Sequence, residues 1–134
     1  MTNILKIEGV GKVFAKKLAD AGLKTTEKLL EQGCKAKARE ELAEKTGIPV
    51  KSILEWVNRA DLMRIKGVGE EYSDLLEVAG VDTVIELGTR KPENLHLKLV
   101  ETNKEKKVVR QLPSLKQVQS WVEQAKKLPR KVEY

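Results

Sequence analysis

Apolar residues in this chain fall into short stripes at helical spacing, separated by glycines, and the same order of stripes is written twice. A short apolar segment (Ile4, Leu5, Ile7) runs into Gly9-Val10-Gly11. Phe14, Leu18 and Ala21 then recur at the three-to-four-residue spacing of one helix face. Leu62, Met63 and Ile65 run into Gly67-Val68-Gly69 in the same way, followed by Tyr72, Leu76 and Ala79. The offset is 58 residues, and it also carries Gly22, Thr25 and Leu29 onto Gly80, Thr83 and Leu87. A repeat held at one offset through glycines and apolar residues predicts that one structural unit occurs twice.

Local chemistry sets the expected elements. Gly22 and Gly80 stand where a helix ends on a left-handed residue. Thr25 and Thr83 are N-caps for the short helices that follow, and Glu86, three residues after Thr83, makes a capping box absent from the first copy. A further helix is expected from Lys35 to Lys45, closing at Thr46-Gly47, with a counterpart from Pro92 to about Asn103. Pro49 suits the first turn of a helix carrying Ile53, Leu54, Trp56 and Val57. Ser114 with Gln117 starts the matching helix of Val118, Trp121 and Val122. The two tryptophans are 65 residues apart, so the second copy has gained seven, expected around Lys104 to Leu112. Val108-Val109 is too short for a strand. The expected fold is all-α: two tandem units of about five short helices each, residues 1–60 and 61–128, followed by a basic tail, 129–134, that should fray. Trp56 to Met63 holds neither proline nor glycine, which favours units packed rigidly together.

Composition adds limits. One cysteine allows no internal disulfide and fits a reducing compartment, and neither a signal-peptide core nor an apolar run of membrane-span length is present. The expected location is the cytoplasm, with no membrane partner. A net charge of +6 points to an acidic partner, but it is uneven: residues 1–60 carry +4, 61–103 carry −4 and 104–134 carry +6.

The apolar-x-Gly-apolar-Gly segments, with Ala15 and Ser73 at the small position of the following helix, resemble the helix-hairpin-helix (SAM-like) pattern. The chain is similar to tandem helix-hairpin-helix proteins, above all an uncharacterised bacterial two-copy family covering nearly its full length. Ala21-Gly22-Leu23-x-Thr25 and Ala79-Gly80-Val81-x-Thr83 also resemble the C-terminal domain of the RNA polymerase alpha subunit. The resemblance implies a DNA or RNA backbone partner, with a phosphate facing the amides of Gly9, Gly11, Val13 and Phe14 and a monovalent cation at the carbonyls of Leu5, Ile7 and Val10. In the second copy the corresponding amides belong to Gly67, Gly69, Glu71 and Tyr72.

Side chains distinguish the copies. Lys12, Lys16 and Lys17 follow the first Gly-Val-Gly, whereas Glu70, Asp74 and Leu75 follow the second, with Glu71 and Glu77 nearby. Like charge repels a phosphodiester, so contact is expected at Gly9, Val10, Gly11, Lys12, Val13, Lys16 and Lys17 only. The alternative is a scaffold whose Glu70, Glu71, Asp74 and Glu77 meet a basic protein surface, that of another molecule's first copy included. Both glycine segments could equally serve only to pack helices.

Enzyme readings find no support. Phe14 and Tyr72 occupy the third-glycine position of a dinucleotide fingerprint, and Val13 breaks a phosphate-loop pattern. Cys34 and His96 stand alone, without a ligand set, and no cofactor or metal is expected. The run Lys104 to Arg110 is either a phosphate-binding loop or a charged connector.

Overall fold

A computed structural model of the chain describes residues 3–7 and 9–134; Met1, Thr2 and Glu8 lie outside the described residues. Helices α1 (Gly11–Asp20), α2 (Thr26–Gly33), α3 (Ala36–Thr46), α4 (Val50–Leu62), α5 (Glu70–Val78), α6 (Val84–Gly88), α7 (Pro92–Lys106) and α8 (Leu115–Lys127) follow a 3-10 turn at Ile4–Lys6. Among the described residues no strand forms, and the one β-type contact is an isolated bridge between Asn3 and Thr25. The fold is all-α. It divides into two compact units, one running to Asp61 and including Lys131–Tyr134, the other from Leu62 to Arg130.

The first unit is assembled around its glycine turns. Ile4, Ile7 and Val10 are buried on the approach to α1, and Leu18 on its inner face. α1 ends on Gly22 at φ 88°. Gly22 N–H donates to Ala19 O at 2.9 Å and Leu23 N–H to Leu18 O at 2.8 Å, the paired bonds of a left-handed helix stop. Leu23 and Leu18 are both buried beneath that stop. Thr25 then caps α2, its hydroxyl accepting from Lys28 N–H at 3.1 Å. At the far end of α2, a Cβ on Gly33 would lie 2.7 Å from Val57 Cγ2, so only glycine lets α4 pass this close.

The second unit repeats these devices. Gly80 N–H to Glu77 O (2.9 Å) and Val81 N–H to Leu76 O (2.8 Å) close α5. Thr83 caps α6, accepting from Glu86 N–H at 3.4 Å. Trp56 in one unit and Trp121 in the other are equally buried, at 4% and 2% exposed. Trp56 meets Phe14 at a centroid distance of 5.3 Å, and Trp121 meets Tyr72 at 5.2 Å, with ring tilts of 51° and 52°. Aromatic pairs so placed serve the core, as their repeated spacing predicts.

Differences from expectation have local causes. Leu62, which should open the second unit's counterpart of the Ile4–Lys6 turn, is instead the last residue of α4, so that turn has no helical equivalent. Glu86 does reach back, but to Asp82 N–H at 3.3 Å rather than to Thr83, so the expected box is displaced by one residue. Ser114 and Gln117 do form the reciprocal box. The extra residues of the second copy are divided between a longer helix, α7 having 15 residues to the 11 of α3, and the connector that follows. Asn103 organises that connector, accepting from Val109 N–H at 2.9 Å and donating to Val109 O at 3.2 Å. The last residues do not fray: Val132 is buried, and Glu133 N–H donates to Cys34 O at 2.7 Å.

Candidate functional site

The N-terminus of α1 is where backbone and side chains converge. Val10, 1% exposed, anchors the turn, and Gly9 and Gly11 flank it at φ 91° and 59°, a region glycine enters freely. A Cβ on Gly9 would lie 3.5 Å from Trp56 Nε1, so the turn rests against the buried indole. The first N–H groups of a helix have no intrahelical acceptor, and Val10 at the N-cap offers no side-chain oxygen. No acidic residue stands in the first turn of α1. Gly11, Lys12 and Val13 therefore present amides at a helix end carrying partial positive charge.

Lys12, Lys16 and Lys17 are exposed on α1, Lys16 one turn beyond Lys12 and Lys17 next to it. Lys17 Nζ sits 5.9 Å from the centroid of Phe14, which steadies its base beside the turn. Val13 is 70% exposed among these lysines. Two of the expected contact residues have inward side chains. Val10 contacts the core rather than solvent, because its side chain is buried and its N–H donates to Ile7 O at 3.3 Å. Phe14, expected among the amide donors, stands at the fourth helical position with its ring against Trp56. Of the carbonyls assigned to a cation, that of Ile7 already accepts from Val10; nothing further distinguishes those of Leu5 and Val10.

Lys24 escaped the sequence reading. It lines a groove of about 300 Å³ beside α1 together with Leu5, Ala15, Lys16 and Ala19. The small Ala15 and Ala19 open that groove, and two lysines flank it. The signal was present in the repeat, since Lys24 corresponds to Asp82 as Lys12 does to Glu70.

The second turn is built differently at the same register. Gly67 is left-handed at φ 100°, with its would-be Cβ 3.2 Å from Trp121 Nε1, but Gly69 is extended at φ −114°. Glu70 and Glu71 occupy the first turn of α5, where carboxylates complement the helix end. Both are exposed; Asp74 and Glu77 are half-buried and already engaged with other residues. Burial, together with the charges of Glu86 and Glu77, pushes the Asp82 carboxyl above the usual aspartate range. Glu86 is itself held by Arg90 at 3.0 Å, and Arg90 also donates to Gly80 O at 3.2 Å.

The remaining candidates have structural partners. Cys34 Sγ donates to Glu31 O at 3.5 Å, and His96 Nε2 donates to Pro113 O at 3.1 Å. In the run from Lys104 to Arg110, Val109 is buried while Lys104, Lys106, Lys107 and Arg110 are exposed. No three His, Cys, Asp or Glu side chains gather into a metal-holding group among the described residues.

Residues 8–128 match the family described as Domain of unknown function (DUF4332). The chain belongs to this family. No curated protein and no solved structure matches it. The DUF4332 match spans both Gly-Val-Gly turns and all eight α-helices. Among the described residues of this DUF4332 chain, no helix is long and apolar enough to cross a membrane.

Proposed function

We propose that this DUF4332 protein is a non-enzymatic, cytoplasmic nucleic-acid-binding protein of the tandem helix-hairpin-helix type, gripping backbone phosphates with the first hairpin and not with the second. The observation that carries this reading is the uncapped N-terminus of α1, free of acidic residues in its first turn and flanked by exposed Lys12, Lys16 and Lys17. A phosphate set against Gly11, Lys12 and Val13 meets backbone donors, helix-end charge and lysines together. Gly9 forms the exposed wall of the turn, and Val10 fixes it from below. Lys24 extends the basic face past Lys16, giving an elongated anion the length of α1 to follow. Amides and lysines read no base edges, so binding should depend little on sequence.

The test is duplex DNA and duplex RNA binding followed across a salt titration. Log affinity should fall linearly with log salt, at about 0.9 per phosphate contact on DNA. Absence of salt-sensitive binding at low ionic strength would overturn the proposal. A second reading, a protein scaffold, draws on one observation: Glu70 and Glu71 are exposed at the start of α5. It requires a basic protein partner there and predicts that Glu70→Lys with Glu71→Lys abolishes capture of that partner, while leaving nucleic-acid binding unchanged or stronger.

A further inference from the structure

We propose that the slot of the first unit that holds residues 131–134 is a peptide-receiving site, and that its occupant in trans is the same segment of a second copy of the chain. The slot is built from the carbonyl end of α2, from α3 and from α4. Arg39 on α3 is only 3% exposed and divides its guanidinium between two carbonyls, donating to Gly33 O at 2.9 Å and to Glu133 O at 2.6 Å. Beside it, Cys34 O accepts from Glu133 N–H at 2.7 Å. Val132 is 3% exposed, and Tyr134 O–H reaches Asn58 Oδ1 at 3.4 Å.

The slot thus asks for an extended residue that both donates and accepts through its main chain, preceded by an apolar side chain of valine size. It also needs to be filled. The last carbonyls of a helix lack intrahelical partners, and without the segment Arg39 keeps Gly33 O but loses Glu133 O, one of its two acceptors. The segment of any other copy meets these demands with the same atoms, so exchange replaces each contact by its twin and removes none. Only the short tether, which leaves the second unit at Leu128 and Pro129, favours a copy's own segment, and a short tether gives an effective concentration of order millimolar. Exchange is therefore governed by concentration. It rests on main-chain hydrogen bonds and one buried valine, so salt should weaken it little, unlike any pairing of exposed lysines with Glu70 and Glu71.

The experiment uses the full chain. Sedimentation of wild-type protein from micromolar to millimolar concentration, in high salt, should show a monomer giving way to a dimer. Val132→Asp spoils the segment and keeps the slot; Arg39→Ala spoils the slot and keeps the segment. Each variant alone should stay monomeric, and an equal mixture should restore association as a heterodimer. A labelled peptide with the sequence Leu128 to Tyr134 keeps the question answerable if Arg39→Ala does not fold. Val132→Asp protein, whose slot is vacated, should bind it at least tenfold more tightly than wild type, and the peptide carrying Asp for Val132 should not bind. A wild-type chain that stays monomeric throughout, association undiminished by Val132→Asp, or a Val132→Asp protein that ignores the peptide would each overturn the proposal.

Discussion

The two Gly-Val-Gly turns sit on cores built alike and differ at the surface. Each packs against a buried tryptophan, each leads into a helix closed by a left-handed glycine, and each is followed by a threonine-capped helix. The outward positions are reversed in charge: Lys12 stands opposite Glu70, Lys16 opposite Asp74, Lys24 opposite Asp82 and Lys28 opposite Glu86. None of these residues belongs to the hydrophobic core of its unit, although Asp74, Asp82 and Glu86 are half-buried. The inner residues are constrained by close-packed neighbours, while exposed positions are free to take a charge that suits a partner. The first turn of α1 holds no acidic residue, whereas that of α5 holds Glu70 and Glu71, whose charge complements the helix end.

The likeness of the cores can be tested with the largest expected effect. Trp56→Ala and Trp121→Ala should each cost about 3–5 kcal/mol, because each removes a buried indole and strands an aromatic partner. Chemical denaturation measures both. If one substitution were tolerated at under about 1 kcal/mol, the two cores would not be equivalent.

The unlikeness of the surfaces is tested next. Lys12→Glu, Lys16→Glu and Lys17→Glu combined should lower duplex affinity at least 100-fold and remove about 3 units from the salt slope, roughly one for each lost phosphate contact. Thermal stability should be nearly unchanged, since all three side chains are exposed. Glu70→Lys with Glu71→Lys forms the converse experiment and should not weaken binding. Equal losses from both sets of changes would erase the proposed distinction.

How much of this was legible beforehand depends on the reach of each interaction. The α1 stop, the Thr25 and Ser114 caps and the end of α3 at Gly47 are decided within about five residues, and the sequence shows them directly. The paired aromatics followed from the repeat. Two features depend on distant chain and were not visible. Arg39 reads as a surface residue of a charged helix, yet it is buried because Glu133, 94 residues away, supplies its acceptor. The tail reads as solvated and basic because the burial of Val132 depends on a slot formed far earlier in the sequence. Lys24 was missed for another reason: the repeat shows its charge reversal against Asp82, but its place beside Ala15 and Ala19 depends on how the chain preceding α1 folds.

A finer contrast lies in the backbone. Gly11 is left-handed at φ 59°, whereas its counterpart Gly69 is extended at φ −114°. Neither has a heavy atom within 4 Å of a would-be Cβ, so conformation alone decides the effect of adding one. Gly11→Ala should cost about 1–2 kcal/mol, the penalty of placing an L side chain in the left-handed region. Gly69→Ala should be neutral or stabilising by about 0.4–1 kcal/mol, since alanine adopts this backbone and loses less entropy on folding. Urea titration of the two variants separates the cases. Matching losses would mean that the two turns share a backbone conformation in solution.

The smallest effect belongs to the Lys24 and Asp82 pair of positions. In the second unit burial and the neighbouring Glu86 and Glu77 raise the Asp82 carboxyl above its ordinary value of 3.8. A raised folded-state value means that the folded chain binds the proton more tightly than the unfolded one. Stability attributable to this group therefore falls as pH rises through the window from 3.8 upward, and at neutral pH the ionised carboxylate is a net cost. Asp82→Asn removes that charge while keeping the side chain's shape. The variant should be more stable than wild type at pH 7 by less than about 1 kcal/mol, the group being partly screened by solvent. The advantage should shrink as pH falls through the window and be absent below 3.8, where Asp82 is neutral in both states. Thermal unfolding of both proteins at neutral and acidic pH measures this. An advantage that persisted unchanged into acid would mean that Asp82 affects stability through its shape or hydrogen bonding and not through charge, and the reversal between the two units would then carry no electrostatic cost at this position.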